Sequence, residues 1–220
     1  IRVINAVEGA ITAVAELVIG LMISMAREIP RADREIRNGN WIKKELMGTE
    51  LKGKYLGIVG LGNIGKRLGR LARALNMNII GYDVMPIDDE FAKEVGLMKA
   101  DLDTLLSSAD YVSLHVPLLD STHHLINAKK LKLMKNTARI INTSRGGVID
   151  EEALYNSLNE GNLAGAALDV FEMEPATGNK LTTLPNFVAT PHMGAQTKEA
   201  QLLAANIIAE KIIQVLRGVL

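Results

Sequence analysis

The 220-residue chain has no cysteine, and aromatic residues make up only 4% of it. The absence of cysteine excludes disulfide bonds and thiolate metal sites and agrees with a cytoplasmic location. Lysine plus arginine and aspartate plus glutamate each number 25, so the net charge is zero. No overall field then favours nucleic acid or an acidic membrane as a partner.

Long hydrophobic runs are also missing. The nearest candidate, residues 13–26, is interrupted by Glu16 and falls short of the roughly 20 apolar residues that span a bilayer. It predicts a buried helix, the first part of a long helix over 12–38 that Pro30 kinks or divides. Residues 1–5 predict a short strand before it, and 196–216 predict a final amphipathic helix.

Between these ends, strand-like apolar runs alternate with helical patterns. Strands are predicted at 55–59, 78–83, 111–115, 138–143, 164–168 and 187–190. Helices are predicted between them at 64–76, 89–95, 102–107, 128–133 and 150–159. Such alternation indicates a parallel sheet covered on both faces by helices. The predicted fold class is therefore α/β, a Rossmann-type doubly wound parallel sheet.

A glycine-rich turn follows the first of these strands. Gly60, Gly62 and Gly65 form the pattern G-x-G-x-x-G between a strand and a helix. In that pattern the first glycine permits the tight turn, the second lets the backbone approach a pyrophosphate, and the third lets helix and strand pack closely. The helix N-terminus offers N–H groups and a positive dipole end to the anion. The run predicts a dinucleotide site.

An acidic residue ends the second strand. Asp83 lies 23 residues after Gly60, near the spacing at which a carboxylate binds the ribose hydroxyls. It would repel a 2′-phosphate, and no arginine follows it, so the sequence favours NAD over NADP. The alternative interpretation is that Asp83 is only a turn residue at the start of a loop.

Polar segments follow the later strands at their carboxyl ends, where ligands of doubly wound sheets bind. They are residues 115–117, 142–147, 168–175 and 190–194. Arg145, in a glycine-rich turn, suits a planar carboxylate. His192 with a nearby glutamate would form the usual acid–base unit near neutral pH. Hydride transfer at a hydroxyl-bearing carbon needs a proton carrier and a carbonyl polariser, and these two residues are of the right types.

These motifs resemble the D-isomer-specific 2-hydroxyacid dehydrogenase family over nearly the whole chain. The resemblance rests on residues 60–65, 115–117, 142–147, 165–171, 174–175 and 191–194, and residues 47–51 point to the 3-phosphoglycerate dehydrogenase branch. It implies NAD as the cofactor, Arg145, Glu174 and His192 as catalytic residues, and Asp169 as the contact of the nicotinamide carboxamide. The other cofactor residues that it implies, beside the three glycines and Asp83, are Asn63, Ile64, His115, Val116, Pro117, Thr122, Thr143, Ser144 and Gly194.

The resemblance also implies a domain organisation and an assembly. Residues 1–11 would be a remnant of a substrate domain, 12–195 the dinucleotide-binding domain with its long helix 12–38, and 196–220 a helix that returns to the substrate domain. The apolar segment 12–25 is expected to form the interface of a homodimer or higher homo-oligomer. Lys43 and Lys44 are expected to face solvent in a loop. As an alternative, the resemblance implies that a basic residue near this position reaches a substrate phosphate across a dimer interface.

The activity that the resemblance implies is NAD-dependent oxidation or reduction of a small D-2-hydroxy acid. The leading substrate is 3-phosphoglycerate, in serine biosynthesis. Another 2-hydroxyacid reductase, for glyoxylate, hydroxypyruvate or lactate, stays open, as does an NAD-sensing corepressor on the same fold. A formate dehydrogenase is disfavoured, because that branch is expected to carry a glutamine where Glu174 stands.

Some residues have competing interpretations. Glu172 competes with Glu174 as the partner of His192 and is otherwise expected to face solvent. His123 and His124 are adjacent and cannot face one site together, and without a supporting carboxylate or cysteine pattern no metal site is predicted. His115 is expected to line the adenine side of the cleft or to pack, and not to do chemistry.

Overall fold

The computed structural model describes residues 3–217. Within that range the strands are β1 (Tyr55–Val59), β2 (Asn78–Tyr82), β3 (Leu97–Lys99), β4 (Tyr111–Leu114), β5 (Arg139–Asn142), β6 (Gly165–Leu168) and β7 (Phe187–Ala189). They form one parallel sheet in the order β3-β2-β1-β4-β5-β6-β7. The order reverses between β1 and β4, and this switch point is where doubly wound sheets bind their ligands.

The helices cover both faces of the sheet. They are α1 (Ile11–Ala26), α2 (Ile29–Arg37), α3 (Asn63–Ala74), α4 (Asp89–Val95), α5 (Leu102–Ser108), α6 (Ala128–Leu131), α7 (Glu151–Asn159) and α8 (Lys198–Leu216), with 3-10 helices at Val7–Ala10, Lys43–Glu45 and Lys180–Thr183. One apolar core joins the sheet to α1, α3 and α4, and the other joins it to α5, α6 and α7. The predicted Rossmann-type fold is confirmed.

The predicted elements agree with these bounds to within two residues, with two exceptions. The edge strand β3 was not predicted, because only Leu97 of its three residues is buried and the segment shows no alternation. The strand predicted at 1–5 is wrong for residues 3–5, which have no regular structure, and Ile1 and Arg2 lie outside the described residues. Val3 is 85% exposed, so it packs on no strand there.

The long N-terminal helix is divided as Pro30 predicts. α1 ends at Ala26, Glu28 adopts a left-handed backbone conformation with φ 50°, and Pro30 stands in the first turn of α2, where its missing N–H costs no hydrogen bond. The apolar face of α1 packs on α3 and on the strands β5, β6 and β7. Much of the apolar segment 12–25 is therefore buried in the chain's own core, and an interface through it stays a prediction.

One helical stretch resembles a membrane span by length and composition. Val7–Ala26 has a mean hydropathy of 1.9, and half of its most apolar part is buried inside the protein. This corrects the expectation that no stretch comes near that length, which counted uninterrupted apolar runs only. Buried core helices of this length meet the same criterion, and α1 packs as one of them.

The last helix, α8, returns to the start of the described chain. Gly9 lies so close to it that an added Cβ would come within 3.1 Å of Ala204. Lys211 Nζ donates to the carbonyl of Asn5 at 2.9 Å and to Glu8 Oε1 at 3.0 Å. Residues 5–9 and helix α8 are thus in direct contact.

Candidate active site and dinucleotide cleft

Three neighbouring strands end level with one another. Asn142 of β5 pairs with Leu168 of β6, and Leu168 pairs with Ala189 of β7. The residues after them therefore leave the sheet at one edge, and adjacent strands lie about 4.8 Å apart. Arg145, Asp169 and His192 follow these strand ends within three residues, so all three leave the sheet at the same edge.

His192 is paired with Glu174. The ring Nδ1 lies 2.7 Å from Glu174 Oε2, and Glu174 Oε1 accepts a hydrogen bond from the Phe171 N–H at 3.1 Å. The hydrogen bond to the His192 ring holds the pKa of the Glu174 carboxyl below its ordinary value, against the opposite effect of burial. The carboxylate therefore fixes one ring nitrogen, and Nε2 has no hydrogen-bond partner among the described residues.

Glu172 does not compete for His192, and it does not simply face solvent as expected. Its Oε1 lies 3.0 Å from Nε2 of His124 and accepts the N–H of Glu151 at 3.2 Å. His124 stacks on His123, with ring centroids 4.0 Å apart. No group of three or more histidine, aspartate or glutamate side chains that could hold a metal ion occurs in the described part of the chain.

Asp169 fixes the turn that carries His192. The residue is 1% exposed, and its Oδ1 accepts from the Thr190 hydroxyl at 2.6 Å and from the Met193 N–H at 2.8 Å. Its Oδ2 accepts the Gly194 N–H at 2.9 Å. These contacts join the end of β6 to the segment after β7, so Asp169 also has a structural role, which its motif did not indicate.

Asn142 fixes the turn that carries Arg145. This buried side chain accepts from the Ser144 hydroxyl at 2.7 Å and from its N–H at 3.0 Å, and it donates to the carbonyl of Arg145 at 2.9 Å. The Arg145 side chain is exposed, and its Nη1 donates to the Ser144 carbonyl at 2.6 Å. Asn142 was not singled out as a site residue, although an asparagine two residues before a serine-led turn has the Asx-turn pattern.

The glycine turn has the shape that a dinucleotide needs. A Cβ on Gly60, which has φ 92°, would lie 2.5 Å from the His115 carbonyl oxygen, and a Cβ on Gly65 would clash with the carbonyl of Gly60. A Cβ on Gly62 would instead meet nothing within 4 Å. The first and third glycines are thus required by the fold itself, whereas the second borders open space.

The start of α3 has free donors beside that space. Gly62 is the N-cap and provides no side-chain hydrogen bond, whereas each of α4 to α8 begins with a capping side chain. The first N–H groups of α3, on Asn63 and Ile64 among others, therefore lack the side-chain acceptor that α4 to α8 have, as do those of α1 and α2. A pyrophosphate fits this position.

Two further observations fit the rest of NAD. Asp83 accepts the N–H of Leu61 at 2.6 Å and that of Met85 at 2.9 Å, and a carboxylate has lone pairs left for two ribose hydroxyls. It is therefore also the turn residue that the alternative interpretation proposed. At the other end, Thr143 Oγ1 is buried without a hydrogen-bond partner among the described residues, which is unusual unless a ligand completes the site.

His115 lies beside Gly60, at the end of β4. Its Nε2 is 2.9 Å from the hydroxyl of buried Ser113. Burial lowers the pKa of the His115 imidazole to about 4, so the ring is neutral at physiological pH. A neutral ring held against the sheet agrees with packing or with a cleft wall, and not with acid–base chemistry.

Most of the predicted site residues gather at the carboxyl edge of the sheet. Of the other predicted site residues, Thr122 hydrogen-bonds only to Pro117: its hydroxyl donates to the Pro117 carbonyl at 2.6 Å and accepts the Leu119 N–H at 2.8 Å, which closes its own loop. An open cavity of about 660 Å³ lies next to the acid–base pair. Its lining includes Phe171, Glu174, Thr190, Pro191 and His192.

The fold and the glycine turn define a dinucleotide-binding α/β domain, with the hydrogen-bonded pair His192 and Glu174 at the carboxyl edge of its sheet. Residues 19–194 match the D-isomer specific 2-hydroxyacid dehydrogenase, NAD binding domain. The chain belongs to that family, and NAD is the cofactor of the matched domain.

The relatives with curated names carry the names of different enzymes. The chain is 48% identical over 219 residues to the D-3-phosphoglycerate dehydrogenase of Methanocaldococcus jannaschii, covering 99% of this chain and 42% of that protein. It is 46% identical to the hydroxypyruvate reductase of Thermotoga maritima, covering 97% of this chain and 70% of that protein. The chain thus spans about two fifths of the length of the phosphoglycerate dehydrogenases that it matches.

Solved structures agree with the fold. The D-lactate dehydrogenase of Aquifex aeolicus, in complex with NAD and lactic acid, superposes with a TM-score of 0.85 at 30% identity. The match covers 94% of this chain and 67% of that structure.

Proposed function

We propose that the chain is the NAD-binding part of a dehydrogenase that interconverts a small D-2-hydroxy acid and its 2-oxo acid. The observation that carries this proposal is the 2.7 Å contact between His192 Nδ1 and Glu174 Oε2, at the strand ends where Arg145 also stands. A proton carrier and a guanidinium on one cofactor cleft are the groups that the reaction needs.

Each of the three residues has a separate role. NAD, when bound in this cleft, would supply the acceptor for the hydride of the hydroxyl-bearing carbon. Arg145 binds the substrate carboxylate with two parallel hydrogen bonds and polarises the adjacent oxygen. His192 takes the hydroxyl proton at Nε2, and Glu174 stabilises the imidazolium through Nδ1. In the reverse direction, protonated His192 gives that proton to the carbonyl oxygen.

For the cofactor, Gly62 and the start of α3 would hold the pyrophosphate. Asp83 would bind the ribose hydroxyls, and the segment 115–117 would line the adenine side of the cleft. Thr143, Asp169 and Gly194 would lie at the nicotinamide end. The structure supports direct contact by Thr143 more than by Asp169, whose oxygens already accept three hydrogen bonds.

For the substrate, we favour 3-phosphoglycerate, which would place the reaction in serine biosynthesis. The motif at residues 47–51 supports this, together with identities of 43–48% to three D-3-phosphoglycerate dehydrogenases. A hydroxypyruvate or glyoxylate reductase is the second candidate, because relatives with those names are 46% and 44% identical.

The deciding experiment compares 2-oxo acids as substrates of the full-length protein with NADH. Reduction of 3-phosphohydroxypyruvate should have the highest kcat/KM, above hydroxypyruvate, glyoxylate and pyruvate. A preference for an unphosphorylated acid would favour the second candidate. Tight NADH binding with no turnover of any of them would contradict the enzyme and favour an NAD-sensing interaction protein.

We also propose that residues 3–11 and α8 belong to the substrate domain and that the protein is a homodimer. The contacts of Gly9 and Lys211 with the opposite end of the chain support the first point. For the second, exposed apolar residues remain on α2 and the segment after it, with Ile36 54%, Trp41 81% and Met47 86% exposed. Light scattering of the full-length protein at micromolar concentrations should show a dimer or a multiple of it.

A further inference from the structure

Glu174 stands on an irregular segment, residues 171–175, that has little hydrogen bonding of its own. Glu172, Met173 and Glu174 are all exposed. Within residues 3–217, only two N–H groups of this segment have acceptors: Phe171 donates to Glu174 itself, and Glu172 donates to Glu151 Oε1 at 2.6 Å. The position of Glu174 therefore depends on a contact from outside the segment.

That contact is reciprocal. Glu151 Oε1 accepts the N–H of Glu172, and Glu172 Oε1 accepts the N–H of Glu151 at 3.2 Å. Glu151 is the first residue of α7, so its N–H has no acceptor within the helix, and a carboxylate is favourable at this positive helix end. Glu151 Oε2 also accepts from Asn179 Nδ2 at 2.6 Å. The Glu151 side chain thus contacts the chain both before and after Glu174, at Glu172 and at Asn179.

A histidine keeps Glu172 turned toward α7. His124 Nε2 lies 3.0 Å from Glu172 Oε1, and His124 Nδ1 lies 4.0 Å from Asp150 Oδ2. On the opposite side, a Cβ on Gly146 would clash with the Phe171 carbonyl. The segment is therefore confined between the Arg145 turn and the first turn of α7.

From this arrangement we propose that the Glu151–Glu172 contact positions Glu174 against His192. Glu151 and Glu172 are positioning residues, since both act through Glu174. The proposal rests on the proposed function, in which Glu174 supports the acid–base histidine. Functional side chains must be held to within about 0.5 Å of their productive geometry, so release of this contact lowers kcat without touching the cofactor site.

Kinetics of the full-length protein provide the first test. Glu151→Ala should lower kcat for 2-oxo-acid reduction about 10- to 50-fold, part of the 10²–10⁴-fold that acid–base catalysis supplies, and should leave the NADH dissociation constant within about twofold. The pH profile of its kcat/KM should shift to lower pH, as is expected for Glu174→Gln, in which His192 loses its anionic partner. Glu151→Gln keeps one acceptor oxygen and should fall between the wild type and Glu151→Ala.

The matched control is Glu152→Ala. Glu152 stands on the same helical turn with the same charge, and it pairs with Lys180 on the surface. It should change neither kcat nor the pH profile, so an equal effect of the two alanine variants would overturn the proposal. A purely structural role of Glu151 would also overturn it, and would appear as a lower melting temperature with an unchanged pH profile.

A second readout needs no turnover. With ¹⁵N-labelled histidine in the full-length protein, the Nδ1 signal of His192 reports its hydrogen bond to Glu174. In Glu151→Ala, and in the milder Glu172→Gln if the alanine variant does not fold, this signal should move toward its position in Glu174→Gln. An unmoved signal overturns the positioning role. A wild-type protein that reduces no 2-oxo acid contradicts the proposed function alone, since the signal still decides the contact.

Discussion

Glu174 Oε2 lies 2.7 Å from Nδ1 of His192, although the two residues follow different strands. The carboxylate is oriented by the Phe171 N–H, and the turn of His192 is held by Asp169 through three hydrogen bonds. Glu174 and the turn of His192 are thus each held by hydrogen bonds other than the one between them. This separate support makes the pair testable by substitutions that leave the fold intact.

The first prediction concerns the anion of this pair. Glu174→Gln should shift the pH profile of kcat/KM for 2-oxo-acid reduction to lower pH, because reduction needs protonated His192 and the imidazolium loses its anionic partner. Affinity for NADH should barely change, since the substitution keeps size and one acceptor. An unshifted profile, measured on the full-length protein, would mean that His192 is not the titrating group.

The second prediction separates fold from cofactor binding within the glycine turn. Gly65→Ala should destabilise the protein by about 2 kcal/mol or more, because its Cβ would clash with the Gly60 carbonyl. Gly62→Ala should fold with little loss, because nothing lies within 4 Å of that Cβ, yet it should weaken NADH binding at least tenfold by occupying the pyrophosphate space. Urea unfolding and calorimetry measure the two effects. Equal NADH affinity in wild type and Gly62→Ala would contradict the assignment.

The sequence predicts the sheet and the cofactor turn well because both depend on local patterns. Buried parallel strands are short apolar runs, and the glycine turn has required spacings, so β1 and β2 are predicted within a residue. The edge strand β3 is not predicted, because it packs with only one buried residue, Leu97, and so leaves no apolar run in the sequence. The apolar face of α1 does not by itself indicate its partner, because composition cannot tell a face that packs on its own sheet from one that packs on a second chain.

In the candidate site, too, the residues in local motifs are predicted and the contacts between distant parts of the chain are not. Arg145, Glu174 and His192 follow from motifs, but their supports do not. Glu172 contacts Glu151, 21 residues earlier in the chain, and the sequence does not show that the end of β6 and the start of α7 are neighbours in space. Asp169 was predicted for its place in a motif, whereas its three contacts lie 21 to 25 residues away along the chain.

The third prediction concerns the choice between NADH and NADPH. NADPH should bind much more weakly, because its 2′-phosphate would face the carboxylate of Asp83. Asp83→Ala should narrow the gap by removing this repulsion, and it should also weaken NADH somewhat, since Leu61 and Met85 lose an acceptor. Asp89→Ala, whose side chain is 93% exposed, is the control of equal charge. Calorimetric affinities that are equal for both cofactors in the wild type would refute the assignment.

The fourth prediction concerns acid stability. Burial lowers the pKa of His115 from 6.5 to about 4, so between these values the unfolded state binds a proton that the folded state does not. The contribution is fully present above pH 6.5 and is lost as the pH falls toward 4, up to about 3 kcal/mol. His115→Asn should remove this slope. The free energies of unfolding of the wild type and of His115→Asn, measured in urea between pH 7.5 and 4.5, should differ most at pH 7.5 and converge toward pH 4.5. A constant difference across this range would contradict the prediction.

The last prediction concerns Arg145. Arg145→Lys should lower kcat/KM for 2-oxo-acid reduction by about 10²-fold or more although it keeps the charge, because an ammonium cannot reproduce two parallel hydrogen bonds to a carboxylate. The loss should appear in KM as well as in kcat, since the guanidinium both binds the substrate and polarises it. His192→Asn should instead lower kcat about 10²–10⁴-fold with a smaller effect on KM, because a proton carrier acts mainly in the transition state. NADH affinity, measured separately, should stay near the wild-type value in both variants, since the Asn142 contacts that hold the Arg145 turn involve its backbone and Ser144. A lysine variant with near-normal kcat/KM would show that Arg145 supplies only charge, and the two-pronged contact would then be abandoned.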